Sequence, residues 1–212
     1  MTTKLYYWPK SSAMRVWWAL EELAIPYELV LLAKQDKEHK GAAYLAINPN
    51  GQVPALQDDG TNVFESLAIN LHLAEKYGVS RGLWPEVGSP NAAEALTWIV
   101  WGTVTLEPPT LQMAFHAAAS ELHFALPKDK RVPAIAEAAE ADIHKRVAIL
   151  EQRLTGRDYT LGNAFSIADI GNVTIIARVR MCKVDLTAYP NVNAWMARCT
   201  ARPAFKRVMP ET

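Results

Sequence analysis

Cysteine is nearly absent: Cys182 and Cys199 are the only two in 212 residues, too few for a disulfide framework and without metal-ligand spacing. The histidines, His39, His72, His116, His123 and His144, are likewise scattered, so no metal site is expected. Charge of one sign is not in excess. Lysine plus arginine and aspartate plus glutamate stand at 22 each, and the basic residues form no run, which excludes a nucleic-acid groove and a membrane-surface patch. No apolar stretch approaches the roughly 18 residues of a membrane span, and Met1-Thr2-Thr3-Lys4 leads into a strand pattern rather than a long apolar leader, so the cytoplasm is the expected compartment. Repeats and low-complexity tracts are missing too. What remains is a chain that is 50% hydrophobic, enough to bury a core in one large domain or two small ones.

The first part of the chain alternates strand and helix patterns, which predicts an α/β unit. Lys4 to Trp8 reads as a strand stopped by Pro9. From Ala13 to Ala24, Met14, Val16, Trp17, Leu20 and Leu23 follow a helical period, with Ser11 or Ser12 as cap and Ile25-Pro26 as stop. Tyr27 to Leu32 predicts a second strand, Asp36 to Ile47 a polar helical segment, and Asn48-Pro49-Asn50-Gly51 a turn. Val53 to Gln57 and Asn62 to Phe64 predict a hairpin about Asp58-Asp59-Gly60, and Ser66 to Tyr77 a helix closed by Gly78. Beyond Gly78 the grammar changes. Gly82, Pro85, Gly88 and Pro90 mark a linker, followed by helical patterns at about 91–119, 133–154, 166–183 and 191–200, an all-α bundle. The expected division is residues 1–82, a linker at 83–89, and 90–212.

The stretch Asn50-Gly51-Gln52-Val53-Pro54-Ala55-Leu56, followed by Phe64-Glu65-Ser66, is suited to holding a peptide by its backbone. A proline near the start of a strand removes a ladder hydrogen bond, which predicts an edge or a bulge, and an edge can pair with an extended ligand. Ser66 is expected to cap the next helix, where its hydroxyl and the free N–H groups would receive a carboxylate. A short acidic peptide is the ligand these features suggest.

These segments, with Lys4-Leu5-Tyr6-Tyr7, the Arg15-containing first helix ending in Leu20-Glu21-Glu22, and Glu65-Ser66-Leu67-Ala68-Ile69, resemble the cytosolic glutathione transferase superfamily over nearly the whole chain. The resemblance implies a thioredoxin-like α/β N-terminal domain plus an all-α C-terminal helical bundle, glutathione as co-substrate, and a homodimer. It implies a cis Val53-Pro54 bond, with the Val53 N–H and C=O pairing with the cysteinyl unit of glutathione. Glu65 would take the γ-glutamyl ammonium, Ser66 the carboxylate, and Gln52 a side-chain contact. Lys37, Lys40 and Arg15 are candidates for the glycyl carboxylate. Trp17 and Trp18 read as core or interdomain packing.

The reacting group would be the glutathione thiol, whose free pKa of about 8.5 leaves little thiolate at neutral pH. A hydroxyl donor at a helix N-terminus favours the charged form. Counting back from Arg15 selects Ser11, which is the expected donor; the alternatives are Ser12, selected by counting from Pro9, and Tyr7, which stands where tyrosine-type relatives keep their hydroxyl. Residues 9–14 contain no cysteine, which disfavours members that react through a mixed disulfide. The Ser-Ser pair also resembles the maleylacetoacetate isomerase class, yet Arg15 follows Ser11 one residue too soon and Ala13 replaces that class's cysteine. In the second half, Ser166-Ile167-Ala168-Asp169 reads as a structural capping box. The electrophile would lie between the domains against Trp101, Leu111, Met113 and Phe115, which are apolar and adaptable. A transferase acting on small hydrophobic electrophiles is the expectation. The rivals are a glutathione-dependent isomerase or reductase of one metabolite, and a non-enzymatic binding module of the same fold.

Overall fold

A computed structural model describes residues 3–120, 122 and 124–209. The chain forms two compact units, one holding the chain up to Val87 and again from Ala201, the other comprising Gly88–Thr200.

In the first unit, strand β1 (Thr3–Tyr7) leads to helix α1 (Ala13–Leu23), β2 (Glu28–Leu31), a 3-10 turn at Glu38–Lys40, α2 (Ala42–Leu45), β3 (Ala55–Asp58), β4 (Thr61–Phe64) and α3 (Ser66–Leu73). The sheet order is β2-β1-β3-β4. β1 runs parallel to β2 with Leu5 opposite Leu29, and antiparallel to β3 with Leu5 opposite Leu56. The β3–β4 hairpin turns on Asp59 (φ 47°) and Gly60 (φ 83°), the pair of left-handed residues that a tight mirror-type turn requires. One face of α1, Val16, Trp18, Ala19, Leu20 and Leu23, is fully buried.

The expectation that Pro54 marks an edge strand is overturned. β3 lies between β1 and β4, and the proline sits just ahead of it, where its missing N–H removes no ladder bond.

The second unit contains α4 (Pro90–Trp101), a π-helical turn (Gly102–Leu106), α5 (Glu107–His116), α6 (Pro133–Arg153), α7 (Ile167–Met181) and α8 (Pro190–Thr200). The helical pattern expected over 91–119 is thus met by an unbroken run from Pro90 to His116 that carries a π-helical turn in its middle. Pro108 and Pro109 have no N–H to offer the carbonyls of Val104 and Thr105, and Arg146 Nε donates to the Thr105 carbonyl at 3.1 Å instead. α7 is the centre of this unit, with Ile167, Ile170, Val173, Ile175, Ile176 and Val179 all fully buried. Ser166 and Asp169 form the expected capping box at its head. Asp169 also accepts from the Thr160 N–H at 2.8 Å and the Trp195 indole at 2.9 Å, so the box ties α7 to its surroundings as well.

A last helix, α9 (Pro203–Val208), packs on α1. The sequence assigned this stretch to the helical half. Its buried Ala204 and Val208, and the edge-to-face contact of Phe205 with Trp18 at 5.0 Å, instead join it to the first unit.

Candidate functional site

Three segments leave the sheet of the first unit at the same end. Tyr6 of β1 is paired with Ala55 of β3, and Ala55 with Phe64 of β4. The residues just beyond this line are Tyr7 to Ser12, Val53-Pro54 and Glu65-Ser66, so the register alone brings together most of what the sequence singled out.

The middle segment is built first. The Tyr44 hydroxyl and the Asn48 side-chain amide both donate to the Gln52 carbonyl, at 2.6 and 2.7 Å. Burial, before any other influence, pushes the Tyr44 hydroxyl up to about 12, so it remains a neutral donor. Lys40 Nζ donates to the carbonyls of Asn50 and Gly51 at 3.2 and 2.9 Å. Gly51 has φ 56°, and a Cβ there would lie 2.7 Å from the His39 carbonyl, so this close approach needs glycine. Thus held, Val53-Pro54 is cis. Val53 precedes β3, and its N–H and C=O are not used in the sheet ladder. Gln52 is exposed and Val53 is buried.

At the head of α3, Glu65 occupies the cap position with φ 69° and ψ 120°, a conformation that costs a non-glycine residue about 1–3 kcal/mol. Ser66, expected as the cap, is the first helical residue instead and is 9% exposed. The first intrahelical bond runs from Ile69 N–H to the Glu65 carbonyl at 2.9 Å, leaving the amides of the first turn without an intrahelical acceptor. The strained Glu65 backbone is a signal that composition does not carry.

At the head of α1 the candidates separate. The Ser11 hydroxyl donates to the Trp8 carbonyl at 2.7 Å and accepts from the Ala13 N–H at 3.3 Å. Its proton is spent within the turn. Ser12 holds the cap position and its side chain makes no cap hydrogen bond. The Tyr7 ring packs on Trp17 at 5.7 Å. Of the cations considered for the glycyl carboxylate, Lys37 is exposed, Lys40 sits on the Asn50-Gly51 turn, and Arg15 is buried in α1 at 3% exposure. Sequence reasoning passed over Trp8, whose ring meets His39 edge-on at 5.4 Å and carries Lys34 Nζ at 5.3 Å. The Pro9 stop directly after it was the available signal.

The electrophile-pocket candidates all lie in the second unit. Met113 is buried at 7% exposure, whereas Trp101, Leu111 and Phe115 are half-buried. Trp101 meets Trp98 at 5.2 Å and Phe115 meets Phe124 at 5.8 Å. Beside Phe124 the sequence reading missed Arg178, which lies 5.8 Å from that ring and pairs with Glu107 at 2.9 Å. Among the described residues no group of three or more histidines, cysteines or carboxylates is arranged to hold a metal. His123 lies outside the described residues. No helix among the described residues is long and apolar enough to cross a membrane.

Residues 1–75 match the family model described as the glutathione S-transferase N-terminal domain, and residues 112–203 match that of the glutathione S-transferase C-terminal domain. The chain belongs to the glutathione S-transferase family. It is 31% identical to the glutathione S-transferase GstB of Escherichia coli K12 over 94% of this chain and 93% of that protein. With glutathione S-transferase 4 of Zea mays it shares 31% identity over 97% of this chain and 91% of the relative. Among solved structures, a Burkholderia graminis glutathione transferase with two glutathione molecules bound per subunit superposes with a TM-score of 0.84. That match has 28% identity and covers 99% of this chain and 89% of the other.

Proposed function

We propose that the protein binds glutathione at the shared sheet end of its first unit, ionises the thiol, and conjugates it to a small hydrophobic electrophile. The observation that carries this reading is the convergence of the Val53-Pro54 segment with the heads of α1 and α3 on one register line. The cysteinyl backbone pairs with the N–H and C=O of Val53, Gln52 adds a side-chain contact, Ser66 and the first-turn amides of α3 receive the γ-glutamyl carboxylate, and Glu65 takes the ammonium. A helix N-terminus and a hydroxyl then face the sulfur, and both favour thiolate over thiol. Ser11 is the donor expected from the sequence. Its hydrogen bond to the Trp8 carbonyl would have to break for that role, whereas Ser12 can donate without rearrangement, so Ser12 donates and Ser11 shapes the turn.

The pKa of the bound thiol, read from thiolate absorbance against pH, tests the assignment. Ser12→Ala is expected to raise it by about 1–2 units, the worth of one hydrogen bond to a charged group. A rise in Ser11→Ala or Tyr7→Phe instead reassigns the donor. Glutathione at a hundredfold its dissociation constant is expected to stabilise the fold by about 2.7 kcal/mol. A thermal melt unmoved by millimolar glutathione overturns the enzyme reading in favour of a binding module.

Trp101, Leu111 and Phe115 are the proposed contacts for the electrophile, and a turnover screen against haloarenes, epoxides, peroxides and maleyl compounds identifies its class. The same screen separates transferase from isomerase or reductase. A homodimer is part of the proposal. Leu96, Val104 and Ile149 of the second unit are large apolar side chains 47%, 64% and 48% exposed, and sedimentation at micromolar concentration is expected to give twice the chain mass.

A further inference from the structure

Helix α1 carries two consecutive tryptophans, Trp17 and Trp18, and one turn later two consecutive glutamates, Glu21 and Glu22. Each column of this two-by-two array ends on an arginine from the far end of the sequence. In the first, the Trp17 indole donates to the Tyr27 hydroxyl at 2.7 Å, that hydroxyl donates to Glu21, and Arg207 donates to the same carboxylate from α9. In the second, the Trp18 indole donates to Glu22 at 2.9 Å, and Arg202 grips Glu22 through two parallel bonds of 2.7 Å each. Phe205 closes against the Trp18 ring. The array is internally consistent in charge. The Tyr27 hydroxyl is pushed up to about 12, first by burial and then by its bond to Glu21, so it stays a donor.

The first column also reaches toward the reacting end of the helix. Trp17 packs on Tyr7, which lies on the strand that leads through Trp8 to Ser11 and Ser12. An eleven-residue helix spans only about 16 Å, so a constraint on its last two turns fixes the direction in which its first turn points.

We propose that the C-terminal segment from Arg202 to Val208 is a clasp that sets the position of α1, with Arg202 and Arg207 as positioning residues acting through Glu22 and Glu21 on the hydroxyl-bearing head of the helix. The proposal rests on the reading that this head activates the glutathione sulfur. A displacement of about 1 Å at a reacting group can cost up to a hundredfold in rate, whereas the groups that hold the peptide, Val53, Glu65 and Ser66, are on other elements. The clasp therefore acts on turnover rather than on glutathione binding. The two arginines also differ. A bidentate fork cannot be reproduced by lysine, while the contact of Arg207 through Nε alone can be approximated by an ammonium.

The test compares the full-length protein with Arg207→Gln, Arg207→Lys, Arg202→Gln and Arg202→Lys, measuring kcat and KM for glutathione, the bound-thiol pKa, and tryptophan emission as a report on the array. Arg207→Gln removes a half-exposed side chain and is expected to leave the protein folded. Its kcat should fall about tenfold, with KM for glutathione changed less than twofold and the thiol pKa raised. Arg207→Lys should recover most of the loss and Arg202→Lys none of it. Variants that melt at lower temperature but keep the wild-type kcat and thiol pKa would overturn the clasp while leaving the glutathione reading standing. Absence of a bound thiolate in the wild-type protein would overturn that reading, and the clasp with it.

Discussion

Asp58 in the first unit and Asp169 in the second are both fully buried, yet the two carboxylates are satisfied by different kinds of partner. Asp58, at the end of β3, receives His72 Nε2 at 2.7 Å, Lys76 Nζ at 2.8 Å, the Tyr77 hydroxyl at 2.8 Å and the Thr3 hydroxyl at 2.9 Å. The first two are side chains of titratable bases that reach solvent, with 27% and 32% exposure. Among the described residues Asp169 receives only neutral donors: the N–H groups of Thr160 and Ser166, their hydroxyls, and the Trp195 indole. Thr160, Ser166 and Trp195 are themselves buried. One unit satisfies its buried carboxylate in part with groups that can retreat to water, the other with groups that cannot. The difference decides what happens when each carboxylate is lost.

Removal of the Asp169 carboxylate should break the molecule most severely, because each buried donor left unpaired costs about 1–3 kcal/mol. Asp169→Ala is expected to lose about 3–5 kcal/mol in equilibrium urea melts, and whatever protein folds should keep near-normal affinity for glutathione. Lost binding with unchanged stability would show that Asp169 belongs to the site instead. Asp58→Ala is expected to cost less, about 2–3 kcal/mol, since Lys76 and His72 can rehydrate. Equal costs for the two variants would erase the distinction.

Acid sharpens the contrast next. Burial by itself would raise the Asp58 pKa, but the bonds from Lys76, His72, Tyr77 and Thr3 outweigh it and hold the group at about 2. An unfolded aspartate titrates near 3.9. The folded value is the lower one, so the stabilisation is fully present above about pH 4 and is lost as pH falls toward about 2. The window is worth roughly 2.5 kcal/mol. Melts between pH 2 and pH 5 should therefore show a steeper loss in the wild-type protein than in Asp58→Asn.

The smallest expected effect concerns strain rather than charge. Glu65→Gly removes the Cβ from a backbone at φ 69° and should return up to about 1 kcal/mol of stability. Glutathione affinity should fall about tenfold through the lost ammonium partner, read by calorimetry on the same sample. A variant both less stable and fully competent to bind would show that the conformation is supported for another reason.

Local signals were enough for much of this architecture. The strand and helix positions of the first unit follow from alternation, Pro9, Ile25-Pro26 and the Asp59-Gly60 turn, and the capping box marked the start of α7 because its two residues lie three apart. Interactions that close over long distances were not legible. The bond from Arg202 to Glu22 spans 180 positions, and a six-residue helix beginning at Pro203 has too few turns to display a period. The edge-strand error at Pro54 arose because a proline ahead of a central strand and one within an edge strand look alike in sequence. The choice between Ser11 and Ser12 turns on where one hydroxyl proton goes, which no spacing rule records.

The return of α9 to the first unit has a consequence in time. A ribosome makes the sheet, α1 and α3 first, and then the whole of Gly88–Thr200, before Arg202 exists. At roughly 5–20 residues per second, the early unit waits about 5–20 s before Phe205 can close on the Trp18 ring. A premature stop near residue 200 would release nearly all of the sequence with its first-made unit still open.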